Sequence, residues 1–383
     1  MIYFDNAATT FPKPDTVYEA VMECMKNYAA NPGRGSYDMA VRASKKVMET
    51  REEIAKLFNV SNLFNIIFTS SATEGLNMGI KGILKRGDHV ITTAMEHNSV
   101  LRPINYLRKK SVKSSIVGAD KYGFVSLKNI EKQIRVNTKM IVVNHVSNVT
   151  GSIQDIERIG EIARRYGVIF MVDASQSAGV INIDVNKCNI DVMAFSGHKG
   201  LLGPQGTGVL YIREGLEVSE YKSGGTGSNS YSMHQPKFLP DKFESGTLNT
   251  PGIAGLYAGV RFIKEIGMDN IRKHELELTE ALLKELKKRD YIILYGREDM
   301  EDRSAVVSLN VDGVDSSDTA AMLNSKGIGV RNGYHCAPLV HEVIGTKNRG
   351  TVRVSPGYFN TLEEIERLVK ALDEIHGGIT QNE

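Results

Sequence analysis

From about residue 15 to residue 260, short apolar runs of strand character alternate with segments of helical period, and this alternation restricts the chain to one broad architecture. The candidate strands are IIFTS (66–70), HVITTA (89–94), MIVVNHV (140–146), VIFMVDA (168–174), DVMAFS (191–196) and TGVLYI (207–212). Between several of them lie amphipathic stretches such as 73–84 and 155–167, the latter opened by Asp155 as a helix cap and closed by Gly167. Strands joined by helical crossovers pair in parallel, and ligands collect outside their carboxyl ends. Beyond residue 260 the texture changes to a charged helix (261–289), VVSLNV (306–311), a helix near 317–325, GIGVR (327–331), TVRVS (351–355) and a final helix from 361. That pattern is α+β. The 383 residues are too many for one ordinary core, so a large domain over 14–260 and a smaller one built from 1–13 and 261–383 are expected.

Charge narrows the range of functions. The 47 basic and 45 acidic residues nearly cancel, so no bulk field recruits nucleic acid or an anionic membrane. No apolar run approaches the roughly 18 residues of a membrane span, and MIYFDNAATT does not read as a signal peptide, so a cytoplasmic location is expected. Cys24, Cys188 and Cys336 are odd in number and far apart, which argues against a disulfide framework or a zinc site; no metal is expected. The Gly/Ser-rich SGGTGSNSYS (223–232) reads as a surface or interface loop.

Chemistry concentrates at the strand exits. Lys199, in Ser196-Gly197-His198-Lys199-Gly200, follows a strand where glycines let backbone come close, a setting suited to a Schiff base if burial lowers the amine's pKa. Asp173 ends a run apolar enough to be buried, where a carboxylate is costly unless it meets a cation such as a pyridinium nitrogen; it could equally cap a following helix. Gln176 and Asn148 are placed to hydrogen-bond a ring's phenolic oxygen, and Thr73 stands where a strand gives way to a helix, as a phosphate ligand or simply as a cap. His97 could lie flat on an aromatic ring. Cys336, beside His335 and near Arg331 in a Gly-containing loop, has a setting that favours thiolate. Cys24, on the apolar face of VYEAVMECMKNY, reads as a small core residue.

Tyr3-Phe4-Asp5-Asn6-Ala7-Ala8-Thr9-Thr10, Glu96-His97-Asn98, Val172-Asp173-Ala174-Ser175-Gln176, Ser196-Gly197-His198-Lys199 and Phe243-Glu244-Ser245-Gly246-Thr247 occur in the order found in class V aminotransferase-fold enzymes. Together they resemble the cysteine desulfurase and selenocysteine lyase branch, nearly end to end. Arg331-Asn332-Gly333-Tyr334-His335-Cys336-Ala337 resembles the persulfide-forming loop of that family's second group, although Tyr334 replaces a frequent His and PLVHEVIGTKNRG follows the cysteine.

The resemblance implies a fold-type-I pyridoxal-phosphate enzyme, its large domain built on a mostly parallel seven-stranded sheet. It makes Lys199 the Schiff-base lysine, Asp173 the partner of the ring nitrogen, His97 the stacking ring, and Gln176 and Asn148 contacts near the phenolic oxygen. Thr73, Ser196 and His198 would hold the phosphate, and Thr247 would reach the phosphate of a neighbouring subunit in a homodimer. Arg353 would take the substrate carboxylate, with Arg331 and Asn148 near it. Cys336 would draw sulfur from L-cysteine as a persulfide, leaving L-alanine, and pass it to a protein acceptor, for instance in iron–sulfur cluster assembly. Selenocysteine lyase, an aminotransferase or a β-lyase on the same fold are the alternative activities.

Overall fold

The computed structural model describes residues 1–380. Its main sheet has seven strands in the order Ile66–Thr69, Gly208–Ile212, Val192–Ser196, Ile169–Asp173, Thr138–Asn144, His89–Thr93, Lys113–Val117. Gly208–Ile212 runs antiparallel to both neighbours and every other pairing is parallel. The six strands read from the sequence are all present. The seventh, Lys113–Val117, is an edge strand of sequence KSSIV with one face exposed, so it lacks the apolar run that marks the others.

The central strands are buried on both faces, which is why they read as continuous apolar runs. Two hydrophobic clusters cover those faces, one including Ile141, Phe170, Phe195 and Leu256, the other Leu76, Val90, Met171 and Leu210. The helix expected over 155–167 is Ile156–Arg165: the Asp155 side chain accepts from the Arg158 N–H at 3.0 Å, and Gly167 follows with a left-handed φ of 64°.

The charged helix expected over 261–289 is two helices, Thr250–Ile266 and Met268–Leu286, and the first of them spans the boundary expected at 260. Gly267, at φ 90°, makes the break, a conformation in which a Cβ would be strained. Thr250–Ile266 buries Ile253, Leu256, Val260 and Ile263 against the main-sheet core, a contact that local charge does not report.

A second sheet is wholly antiparallel, in the order Arg331–Gly333, Thr351–Val354, Val307–Val311, Ile292–Tyr295. The first and last of these were not separate expectations: GIGVR divides into Ile328–Gly329 and Arg331–Gly333, and Ile292–Tyr295 is only half-buried. Ile2–Tyr3 pairs in parallel with Ile328–Gly329, and Ile2 and Phe4 pack with Leu309, Val352 and Leu368 in this sheet's core.

Candidate active site

Asp173, Ser196 and Asn144 end adjacent strands of the main sheet, and the loops beyond them meet the Thr351–Val354 strand across a cavity of about 220 Å³. Thr73, His97, Asn148, Asp173, Gln176, Ser196, His198, Lys199, Arg331 and Arg353 all line it. Thr247 does not: it is exposed, accepts from Asn31 Nδ2 at 3.3 Å, and borders a separate hollow with Phe68 and Asn249.

The lysine loop is held from behind by the N-terminal segment. Thr9 Oγ1 and Thr10 Oγ1 donate to the carbonyls of His198 and Lys199 (both 3.1 Å), and Lys13 Nζ donates to the His198 carbonyl at 2.8 Å. Gln176 Nε2 donates to the Ala7 carbonyl at 2.9 Å, fixing the same segment against the exit of Ile169–Asp173. Burial, the dominant cause, lowers the Lys199 amine to about 8; the Asp173 charge works against it, and Arg353 and Arg331 add to it.

Asp173 is buried and takes the N–H and Oγ–H of Ser175 on Oδ1, so it closes a local turn rather than capping a helix. Among the described residues the ion pairs with a fully buried guanidinium are Arg51–Glu244 and Arg353–Asp5, and Asp173 is in neither. A buried carboxylate that faces the cavity and forms no ion pair among the described residues fits a protonated ring nitrogen. His198 Nδ1 is also buried without a partner, and burial with the Lys199 charge lowers this imidazole to about 4.

The helix Ala72–Ile83 opens on the cavity. Its cap is Ser71, which accepts from the Glu74 N–H at 3.3 Å, so Thr73 is free of that duty and its hydroxyl meets Ser99 Oγ at 2.8 Å. Ser196 Oγ lies 3.4 Å from the Ala72 N–H. Hydroxyls and helix-terminal amides at one point form a cradle suited to a phosphate. His97 caps its own helix, Asn98–Arg108, with Nδ1 accepting from the Ser99 N–H at 3.1 Å, which leaves Nε2 as the protonated nitrogen. Burial lowers this imidazole, with the Asp173 charge opposing. The donor set therefore suits pyridoxal phosphate: an amine, a carboxylate for the ring nitrogen, a flat ring and a phosphate cradle.

Arg353 is fully buried, not an exposed strand residue. Nη2 pairs with Asp5 at 2.6 Å, Nη1 donates to the Asn148 carbonyl at 3.0 Å, and Nε is left without a partner. Asn148 lies four residues beyond its strand, and its Nδ2 donates to the His335 carbonyl at 2.7 Å. The Asn98 N–H donates to the Cys336 carbonyl, also at 2.7 Å. These bonds hold His335 and Cys336 at φ 50° and 59°, consecutive left-handed residues that each cost on the order of 1 kcal/mol or more.

The sequence pairs Cys336 with His335 and Arg331 as its cationic neighbours, and the structure keeps only the arginine. His335 turns inward, with Nε2 2.9 Å from Thr351 Oγ1, and burial above all, then Arg353, lowers it to about 2. Arg331 Nη2 instead reaches Cys336 Sγ at 3.5 Å. Cys24 is buried with Tyr28 and Ala254, as expected of a core residue. Ser99, Ser175, Asp5 and Lys13 have structural roles here that the sequence reading did not assign; the signal for Asp5 was its place in the Tyr3–Thr10 motif.

Residues 2–368 match the model of the aminotransferase class-V family. A probable cysteine desulfurase of Methanothermobacter thermautotrophicus is 38% identical, across 98% of this chain and 95% of the relative. The apo structure of the cysteine desulfurase from Thermococcus onnurineus NA1 superposes with a TM-score of 0.93 at 38% identity, covering 98% of this chain and 95% of the other. The S-sulfonic acid form of the Escherichia coli cysteine desulfurase CsdA does so at 0.87 and 28%, covering 97% and 94%.

Proposed function

The chain belongs to the aminotransferase class-V family, and from that premise we propose that it is a pyridoxal-phosphate-dependent cysteine desulfurase whose sulfur carrier is Cys336. The observation that carries the reading is one cavity lined by Lys199, Asp173, His97 and Arg353, with Arg331 reaching from its wall to the Cys336 sulfur.

Lys199 would hold the cofactor covalently, Asp173 would meet its ring nitrogen, His97 would cover its face, and Gln176 and Asn148 would lie near its phenolic oxygen. Thr73, Ser196 and His198 would hold the phosphate. When bound, the cofactor supplies an electron sink for the pair left on the substrate Cα. Arg353 and Arg331 orient L-cysteine by its carboxylate, and the low-pKa amine of Lys199 takes the Cα proton. Cys336, as thiolate beside Arg331, attacks the substrate sulfur. An S–S bond forms as the C–S bond breaks, leaving a persulfide on Cys336 and alanine as the other product.

Membership of the family's second group is supported by the short connection after Cys336, which passes directly into the helix Pro338–Val343. A homodimer is supported by exposed Met22, Met25, Tyr37, Met39, Tyr231 and Met233, and by Thr247 lying outside its own chain's cavity; Tyr231 and Met233 belong to or border the 223–232 loop. We place the division between the two domains at Gly267, with residues 1–13 joined to the C-terminal part through Ile2 and Phe4. No helix among the described residues is long and apolar enough to cross a membrane. A reducing, cytoplasmic setting accords with three free cysteines, and the persulfide would serve an acceptor protein such as those of iron–sulfur cluster assembly.

The experiment is to mix the purified holoprotein with L-cysteine and quantify alanine and the Cys336 persulfide beside Cys336→Ala and Lys199→Ala. The reading requires equal alanine and persulfide in the parent, no persulfide in Cys336→Ala, and neither product in Lys199→Ala. An oxo acid in place of alanine would refute it.

A further inference from the structure

Glu96 precedes His97 in the chain, and the chemistry above gives it no task. It is fully buried. Oε1 accepts from Thr93 Oγ1 at 2.7 Å and from the Asn144 N–H at 3.0 Å, while Oε2 is buried without a partner. No lysine or arginine among the described residues forms an ion pair with it. A carboxylate so placed is costly, and the neutral acid is the form that burial favours. Burial is the main cause of a shift to about 8, opposed by the Thr93 and Asn144 bonds and assisted by the negative charge of Asp173.

The partners of Glu96 define what it connects. Asn144 ends the strand beside Ile169–Asp173, in register with Asp173 itself. Its Nδ2 also donates to the Met95 carbonyl at 2.9 Å, so two bonds given by Asn144 join the strand exits at the two residues preceding His97. Asp173 is the charged group that bears on Glu96 from the neighbouring strand; Thr93 and Asn144 present neutral donors, and His97 faces the cavity.

We propose that Glu96 is a positioning residue: its neutral carboxyl clamps the strand exit that carries His97 to the exit registered beside Asp173, and so fixes the spacing of the two groups that grip the cofactor ring. The inference rests on the pyridoxal-phosphate reading. Ionisation would set a second negative charge near Asp173 inside the same buried layer.

The test compares Glu96→Gln and Glu96→Ala holoproteins with the parent by cofactor dissociation across pH, and the cofactor-stripped full chains by thermal midpoint. Gln can accept both bonds but cannot ionise. The expected result is that Glu96→Gln binds the cofactor nearly as the parent does near neutrality, while Glu96→Ala binds it about tenfold more weakly, the scale of one lost buried hydrogen bond. As pH rises through about 8 the parent loosens its cofactor and Glu96→Gln does not.

The stripped chains give a second reading. A carboxyl raised from its ordinary 4.5 to about 8 in the folded state keeps its proton there while the unfolded chain has lost it. Stability is therefore full below the lower value and falls as pH climbs to the upper one, and Glu96→Gln lacks that component. Wild-type affinity in Glu96→Ala, or the same alkaline loss in parent and Glu96→Gln, overturns the proposal. If Glu96→Ala does not fold, the parent and Glu96→Gln comparison decides. A parent that takes up no cofactor at all refutes the pyridoxal-phosphate reading instead, and the stripped-chain comparison then judges the clamp.

Discussion

Arg331 donates through Nη2 to the sulfur of Cys336 at 3.5 Å, so the guanidinium, and not the imidazole adjacent in sequence, is the cation at the thiol. His335 has turned its ring to Thr351 and is neutral at any ordinary pH. The rate of Cys336 alkylation at neutral pH separates the two. Arg331→Ala is expected to slow it severalfold by removing the cation that touches the sulfur, and His335→Gln to leave it unchanged. Equal losses in both variants would mean that the imidazole contributes charge after all.

The Lys199 amine, lowered from 10.5 to about 8, is neutral in about half of the molecules at that pH. In the cofactor-stripped protein its acylation by a small reagent, followed by peptide mass, should reach half its limiting rate near pH 8, whereas surface lysines reach theirs some two units higher. Asp173 opposes the lowering, so Asp173→Asn should move the Lys199 midpoint further down. An upward move would show that the carboxylate does not act on the amine.

Glu244 lies in one of the recognition motifs, yet its partner is structural. Arg51 and Glu244 are 2% and 7% exposed, joined through both guanidinium nitrogens (2.9 and 2.8 Å), and Glu244 Oε1 also takes the Phe68 N–H at 2.7 Å. Removing one member leaves a buried charge unpaired. Arg51→Ala should cost about 3–5 kcal/mol, read as a lower denaturant midpoint, with the Arg51→Met, Glu244→Met pair recovering much of it.

Gly208 stands where the antiparallel strand passes against the Ser71–Thr73 turn, the proposed phosphate cradle. A Cβ there would lie 2.5 Å from the Ser71 carbonyl carbon and 2.7 Å from Thr69 Oγ1, so backbone must move. Gly208→Ala should therefore weaken cofactor binding by displacing the Ser71–Thr73 amides, measured as a faster loss of the yellow absorbance on dilution. Gly87→Ala, where nothing lies within 4 Å but φ is 91°, should cost stability without that effect.

The strands and their exits were legible in the sequence for one reason: a strand buried on both faces must be apolar along its whole length, so Val172-Asp173 and Phe195-Ser196 advertise the point where chemistry begins. Lys113–Val117 was not legible, because an edge strand with an exposed face need not exclude polar residues; Ile292–Tyr295 is apolar but only half-buried and follows closely on the charged helix, so it did not stand out as a strand of its own. The break at Gly267 was missed since the charge pattern runs on through it, while the packing passes from the main-sheet core at Ile263 and Ile271 to the second sheet's core at Leu278 and Leu282.

What the sequence determined by itself is which residues stand where strands give way to loops, and hence the candidate inventory of the site: Lys199, Asp173 and His97, with Cys336 in the loop after Arg331–Gly333. Residue spacing along one strand or loop carries that information. Only the tertiary structure decided direction and pairing. Arg353 meets Asp5 across 348 positions of chain, Glu96 meets Asn144 across 48, and His335 faces away from its own neighbour Cys336. Such choices follow from the need to satisfy every buried polar group at once, a condition set by the whole packed interior and by no local stretch of it.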